Sequence, residues 1–230
     1  MTSKEFITAI VKEDFPHLDA DKIIKQAYLI QYLIQKMKSV GSSSKTRGSY
    51  GSIYPIYTLV EDYINKGFDK NNDYSSYEGA IFTEVFNRQR ELPFGEKLQN
   101  HGFNHRVNSD FRKYFARSGV NDVPIIRNLD TQRYWINENL LKLNVDGQAI
   151  NIAKTIMNIT EKYIELKMDK FNNFFNGCNY YKDNYMEEVE EAVNFIKQQL
   201  DPNTDARIFE IVSFVILKYF YITKKVYIGP

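Results

Sequence analysis

Large apolar side chains recur at intervals of three and four residues through most of this sequence, and that interval is the period of an α-helix. The clearest run comprises Ile152, Ile156, Ile159, Tyr163 and Leu166. Residues 19–38 and 186–200 repeat the spacing with polar residues between, which indicates amphipathic helices. Residues 205–222 are apolar almost throughout and predict a buried helix. The sequence therefore predicts a mainly α-helical fold.

Residues typical of helix ends predict two further helices in the first half of the chain. The first covers Ser52–Phe68, with Ser52 as its N-cap and Pro55 in its first turn. The second, residues 75–90, begins with the capping-box pattern SSYE and is ended by the turn LPFG. The Ser- and Gly-rich residues 39–52 predict a mobile loop, which is either a plain linker or an arm that orders on phosphate.

A β-hairpin is predicted in the middle of the chain. Residues 123–137, VPIIRNLDTQRYWIN, have β-branched and aromatic residues on both sides of a polar turn at residues 128–131. We therefore expect N-terminal helices and a flexible loop over residues 1–44, a winged-helix-like region containing the hairpin over residues 45–145, and a helical region over residues 146–230.

Positive charge is concentrated in this middle region. The chain has a net charge of +1, whereas residues 88–117 contain seven Lys and Arg against three acids. If Asn104 caps a helix over residues 105–117, one sector of that helix is apolar and the opposite sector is polar and basic. The apolar sector contains Val107, Phe111, Tyr114 and Phe115. The polar sector contains His105, Arg106, Ser109 and Lys113, flanked by Arg112 and Arg117.

The polar sector carries the residue types that read DNA. Asn, Gln, Arg and His match base edges in the major groove, and Lys and Arg contact phosphates. A helix that follows a tight turn and precedes a basic hairpin is the arrangement of winged-helix DNA-binding proteins. This pattern is typical of a sequence-specific, double-stranded DNA-binding domain, but a merely solvated basic face has the same pattern, so both interpretations stay open at this point. The candidate contacts are Lys45, Arg47, Arg88, Arg90, Lys97, Asn100, His101, His105, Arg106, Ser109, Arg112, Lys113, Arg117, Arg127 and Arg133.

Two metal-dependent alternatives follow from spacing. His101 and His105 could bind a metal, but no Cys or acid is spaced to complete a tetrahedral set. Asp146 with Glu165 and Lys167 has the spacing of a Mg²⁺-dependent nuclease, which would make the chain a complete small nuclease. Such enzymes place the acid-x-Lys triplet on a strand, whereas this segment predicts a helix. We therefore expect no catalytic residue, metal or cofactor in this chain.

A third alternative is a helical protein-interaction module. Its acidic helix would carry Glu187, Glu188, Glu190 and Glu191, and would bind a basic partner. A solvated helix face explains the same residues.

Two stretches resemble the N-terminal region of bacterial type II restriction endonucleases. They are TRGSYGSIYPIYTLVEDYINKGF from Thr46 and YEGAIFTEVFNRQRELPFGEKLQNHGFNHRVNSDFRKYF from Tyr77. The resemblance covers most of residues 45–140. It implies the DNA-recognition part of such an enzyme, followed in the relatives by a separate nuclease domain of the PD-(D/E)xK type. It also implies Mg²⁺ for the parent nuclease and a homodimer formed through the parent enzyme, but transfers no catalytic residue to this chain.

We expect a cytoplasmic protein. Cys178 is the only cysteine and cannot form an internal disulfide, and the first residues contain no apolar run of the signal-peptide type. The apolar run at residues 211–222 is shorter than the ~20 residues that cross a bilayer.

Overall fold

The computed structural model describes residues 2–38, 46–70, 72–96, 98–117, 119, 122–183, 189–199 and 206–223. The chain forms two compact units: unit 1 comprises Met1–Ser39 and Arg47–Ile164, and unit 2 comprises Val40–Thr46 and Glu165–Pro230. Helices dominate the described residues, so the mainly α-helical prediction is confirmed. None of the described helices is long and apolar enough to span a membrane.

Unit 1 contains most of the helices and all the strands of the described residues. Its helices are α1 (Ser3–Asp14), α2 (Ala20–Gln26), α3 (Tyr28–Lys38), α4 (Thr46–Asn65), α5 (Phe82–Glu91), α6 (Asn100–His105), a π-helix (Arg106–Asp110), α7 (Phe111–Arg117) and a 3₁₀-helix (Glu138–Leu140). The long helix α8 (Ala153–Asp183) begins in unit 1. Asn158 of α8 donates to the carboxylate of Asp14 at 3.0 Å, so the start of α8 packs with unit 1, beyond the predicted boundary after residue 145.

The strands form two small antiparallel sheets. The first contains β1 (Ala80–Ile81), β2 (Ile125–Asn128) and β3 (Arg133–Ile136) in the order β1-β3-β2. Strands β2 and β3 are the predicted hairpin, which is confirmed, and Ile126 pairs with Trp135. The second sheet is a hairpin of β4 (Lys142–Val145) and β5 (Gln148–Asn151), which the sequence analysis did not predict.

Helix α4 begins six residues earlier than predicted. Ser52 is fully buried inside the helix and is not its N-cap, and Pro55 lies in the helix interior. Residues 46–51, predicted as loop, are helical because packing outweighs the low helix propensity of Gly and Ser. The ring of Tyr50 stacks on Phe94 with centroids 5.1 Å apart. Residues 39–45 of the predicted loop lie outside the described residues.

The predicted start of the next helix is also wrong. Ser75 does not cap a helix, because its hydroxyl and backbone N–H donate to Asp73 in a local turn. Residues 80–81 instead pair with β3, and α5 begins at Phe82 without a side-chain cap. The pairing strand is about fifty residues away in sequence, so a local end signal could not indicate it.

Unit 2 contains the rest of α8, α9 (Val189–Gln199) and α10 (Ala206–Thr223). Phe174 and Val212 form a small buried cluster, with Phe171 and Ile196 packed against it. The prediction of a buried helix at residues 205–222 is wrong, because most apolar side chains of α10 are exposed. Apolar composition predicts burial only where enough other surface is available to cover the helix, and the cluster around Val212 covers only one side.

The turn after α5 depends on Gly95. A Cβ at this position would lie 1.9 Å from the carbonyl oxygen of Gln89 and 2.8 Å from that of Leu92. The Gly95 N–H donates to Leu92 O at 2.8 Å, and the preceding Phe94 has φ 64°. No side chain therefore fits without moving backbone atoms.

We predict that Gly95→Ala lowers the free energy of unfolding by roughly 1–3 kcal/mol or more, because the added methyl overlaps backbone. Gly102→Ala is the matched control, since a Cβ there meets no atom within 4 Å and α6 favours Ala over Gly. Urea unfolding measures both variants. Equal stability of Gly95→Ala and the parent protein would contradict the described turn.

Candidate nucleic-acid interface

Helix α6, the π-helix and α7 form one continuous helical stretch over residues 100–117, which we call the central helical segment. It begins at Asn100, so the prediction that Asn104 caps a helix starting at His105 is wrong. The side-chain oxygen of Asn104 instead accepts from the hydroxyl of Tyr134 on β3 at 3.3 Å. Asn104 thereby ties the segment to the hairpin.

Four apolar side chains at intervals of four residues form the inner face of the central helical segment. Phe103, Val107, Phe111 and Phe115 are all 5% exposed or less. In an α-helix each step of four residues turns about 40° past a full circle, so such a row would drift around the helix. The π-helix at residues 106–110 turns less per residue and offsets this drift. All four side chains therefore remain on the buried face.

The inner face is held at both ends by aromatic contacts. Near its start, the ring of Phe103 lies 5.3 Å from that of Tyr134. Near its end, the ring of Phe111 lies 5.1 Å from that of Tyr32 on α3 in an edge contact. Burial of these rings fixes the rotation of the segment about its own axis. The opposite face is consequently directed away from the core.

That outer face is cationic. Arg112, Lys113 and Arg117 are exposed, and the His105 side chain is 63% exposed. Within the described residues no carboxylate lies within salt-bridge distance of Arg112, Lys113 or Arg117. His105 Nδ1 lies 4.0 Å from an oxygen of Asp110. The predicted separation of an apolar inner face from a basic outer face is therefore present at these positions.

The other residues of the segment are distributed as follows. Asn100 is exposed and Ser109 is half-buried. The side chains of His101 and Arg106, together with that of Arg47, lie outside the described part of the structure, as do the whole of Lys45 and Lys97. Their predicted roles stay predictions.

Arg88 lies in an ion pair within unit 1. Its Nε and Nη2 donate to the two carboxylate oxygens of Glu61 on α4, at 2.8 and 2.7 Å. This bidentate pairing with Glu61 raises the pKa of Arg88. The positive charge of Arg88 is thus neutralised by Glu61, and this ion pair joins α5 to α4. Arg90 is exposed and its Nε donates to the carbonyl oxygen of Glu96 at 3.3 Å.

The two arginines of the hairpin lie on opposite faces of the sheet. Side chains alternate along a strand, so Arg127, paired with Tyr134, lies on the face that the central helical segment covers. Arg133 lies on the other face, where its Nη1 donates to Gly79 O at 2.7 Å. The tip between them is closed by Asn128, whose side-chain oxygen accepts from the backbone N–H of Asp130 at 3.0 Å.

The second face of the hairpin borders a cavity of about 460 Å³, which sequence reasoning missed. Its walls include Tyr74, Tyr77, Ile126, Trp135 and Glu138. Burial raises the pKa of both the Tyr74 and the Tyr77 hydroxyl above the ordinary value for tyrosine. Tyr74 donates to Ile136 O at 2.8 Å. The walls come from separate segments of sequence, and no local motif signals their proximity.

The residues of the nuclease alternative are divided between the two units, with Asp146 in unit 1 and with Glu165 and Lys167 in unit 2. Asp146 lies at the tip of the β4–β5 hairpin and pairs with Lys22 at 2.8 Å. Glu165 and Lys167 lie on helix α8, as their spacing predicts. Among the described residues, no group of three or more His, Cys, Asp or Glu could hold a metal ion.

Comparison with known proteins finds no matching family model, no matching curated protein and no matching solved structure.

We predict that the Glu61–Arg88 pair contributes to stability. Glu61→Gln and Arg88→Met should each lower the free energy of unfolding by about 1 kcal/mol, since each removes a charge-assisted hydrogen-bonded partner that is partly exposed. The double variant should be little less stable than either single one, because the interaction is lost only once. Urea unfolding of all four proteins gives the coupling energy. Additive effects would contradict the observed pairing.

Proposed function

We propose that this chain is a sequence-specific, double-stranded DNA-binding domain that inserts the central helical segment into the major groove. The observation that supports it best is the outer face of that segment, where Arg112, Lys113 and Arg117 are exposed without an acidic partner among the described residues. Exposed cations on one helical face are able to replace the counterions that surround DNA phosphates.

The order of elements also supports the proposal. Helix α4 is followed by β1, α5, the central helical segment and the β2–β3 hairpin, and β3 is the middle strand of the sheet. A short sheet with this order, next to a helix that follows a tight turn, is the arrangement of winged-helix DNA-binding domains. In such domains the N-terminal part of the recognition helix reaches base edges.

The proposed contacts divide into two groups by chemistry. Arg90, Lys97, Arg112, Lys113 and Arg117 contact phosphates, with Lys45 and Arg47 as further phosphate or minor-groove contacts. Asn100, His101, His105, Arg106 and Ser109 read base edges. Arg88 and Arg133 are given structural roles, because Arg88 pairs with Glu61, and Arg133 with Gly79 and Glu78.

The resemblance of residues 45–140 supports a more specific proposal. The domain would be the recognition part of a type II restriction endonuclease, in which Mg²⁺ serves the nuclease centre rather than this domain. No metal-dependent step is assigned to the described residues.

Lys113→Ala tests the phosphate contacts. We predict weaker binding by a similar factor on every duplex, and a salt dependence whose slope, log Kd against log salt, falls by about one. The matched control is Lys25→Ala, since Lys25 is an exposed lysine on α2. Fluorescence anisotropy over a salt series measures both variants. An unchanged slope in Lys113→Ala, or an equal loss in Lys25→Ala, would contradict the proposed interface.

Arg106→Ala tests the base contacts. We predict a loss of about 1–3 kcal/mol on the preferred duplex and a smaller loss on unrelated duplexes, so that specificity relaxes. Competition between the preferred and a scrambled duplex measures the ratio. A uniform loss on both duplexes would assign Arg106 to phosphate instead.

A further inference from the structure

Helix α10 has an apolar face that is exposed in unit 2. Ile211, Phe214, Leu217 and Tyr221 are 42, 64, 53 and 36% exposed. These positions, together with Glu210 and Lys218, fall within about 120° of the helix circumference at 100° per residue. We call this set the Phe214 face. Glu210 and Lys218 are exposed too.

The Phe214 face points away from the core of its own unit. Val212 is buried in the cluster with Phe174 and lies two residues before Phe214. Residues two apart on a helix are about 200° apart around the axis, so Val212 and Phe214 are on nearly opposite sides. The side of α10 that packs in unit 2 is therefore not the side that carries Phe214.

Five of the six residues of the Phe214 face, all except Tyr221, are arranged symmetrically about Phe214. Four residues before it lies Glu210 and four residues after it lies Lys218, while Ile211 and Leu217 are three residues before and after. If two copies of α10 pair antiparallel around a two-fold axis at Phe214, each Glu210 faces Lys218 of the second copy. Each Ile211 then faces Leu217, and the two Phe214 rings meet on the axis. The face is thus complementary to itself in both charge and apolarity.

A parallel pair lacks this complementarity. It would set Glu210 against Glu210 and Lys218 against Lys218, and like charges in such positions destabilise association. Lys218 already extends along the same face, because its Nζ lies 6.0 Å from the centre of the Phe214 ring. A salt bridge from Lys218 to a second copy would therefore need little rearrangement of the side chain.

The exposed area is sufficient for a small specific interface. The four apolar side chains and the stems of Glu210 and Lys218 would bury roughly 500 Å² on each copy, or about 1,000 Å² in the pair. Specific interfaces need about that area, and its small size favours a weak dimer that depends on protein concentration.

From these observations we propose that the Phe214 face of α10 binds the same face of a second copy of this chain, in an antiparallel pair. The inference rests on α10 alone and does not depend on DNA binding. Two linked copies would nevertheless present two DNA-binding domains, for which a duplex with two half-sites is the matching partner.

Charge reversal on the full chain tests the pairing. Glu210→Lys and Lys218→Glu should each shift the monomer–dimer equilibrium toward monomer by tenfold or more in sedimentation velocity, because each sets like charges opposite one another. The double variant Glu210→Lys/Lys218→Glu should restore dimerisation to the parent level. In a parallel pair Glu210 would face Glu210 and Lys218 would face Lys218. Each single change would then replace one pair of like charges by another, so neither would weaken association.

Cross-linking supplies a second measurement that does not depend on the charged pair. In a Cys178→Ser background, Phe214→Cys should form a disulfide-linked dimer under mild oxidation, since the two positions meet on the axis. Phe209→Cys is the matched control, because Phe209 is 52% exposed but lies about 140° away around the helix. Circular dichroism checks that every variant retains its helix content.

The proposal would be overturned by a parent chain that stays monomeric at every accessible concentration. A dimer whose monomer–dimer equilibrium is the same in the parent chain and in all three charge variants would also overturn it, because another surface must then hold the copies together. Binding of α10 to a different protein or to lipid vesicles, with no self-association, would assign the Phe214 face to another partner and contradict the proposal.

Discussion

The burial of Phe103, Val107, Phe111 and Phe115 against the core of unit 1 determines what the rest of this region can do. Because these four side chains are packed on one side, Arg112, Lys113 and Arg117 are held in exposed positions. The π-helix contributes to this arrangement, because it keeps apolar side chains that are spaced by four residues on one face. Contacts from Phe103 to Tyr134 and from Phe111 to Tyr32 then fix the segment between the hairpin and α3.

Ion pairing separates cations that stabilise the fold from cations that remain available to a ligand. Arg88 is held by both oxygens of Glu61, and Arg133 is held by Gly79 and Glu78. Arg112, Lys113 and Arg117 have no such acid within the described residues. A count of charges along the sequence gives all these residues equal weight, whereas only the second group can offer a full charge to phosphate.

Sequence patterns predicted the elements that depend on local periodicity and failed where distant residues decide. The inner positions Val107, Phe111 and Phe115 and the β2–β3 hairpin followed from spacing. The start of α5 did not, because β1 is stabilised by pairing with residues 133–134. The Asp146-Gly147 pair, with φ of 52° and 85°, is a hairpin signal that the sequence analysis did not use, because it considered Asp146 only as part of the nuclease alternative. The exposure of α10 could not be predicted from its composition, because the sequence of an apolar helix does not indicate whether other elements pack against it.

Selection of bound duplexes from a random pool by the full chain, at moderate salt, tests the central claim most directly. We expect a single enriched motif whose affinity falls steeply with salt concentration, as the release of counterions by the outer face of the central helical segment requires. A pool that remains random after repeated rounds, or no binding to any duplex at low salt, would contradict the assignment of this face to DNA.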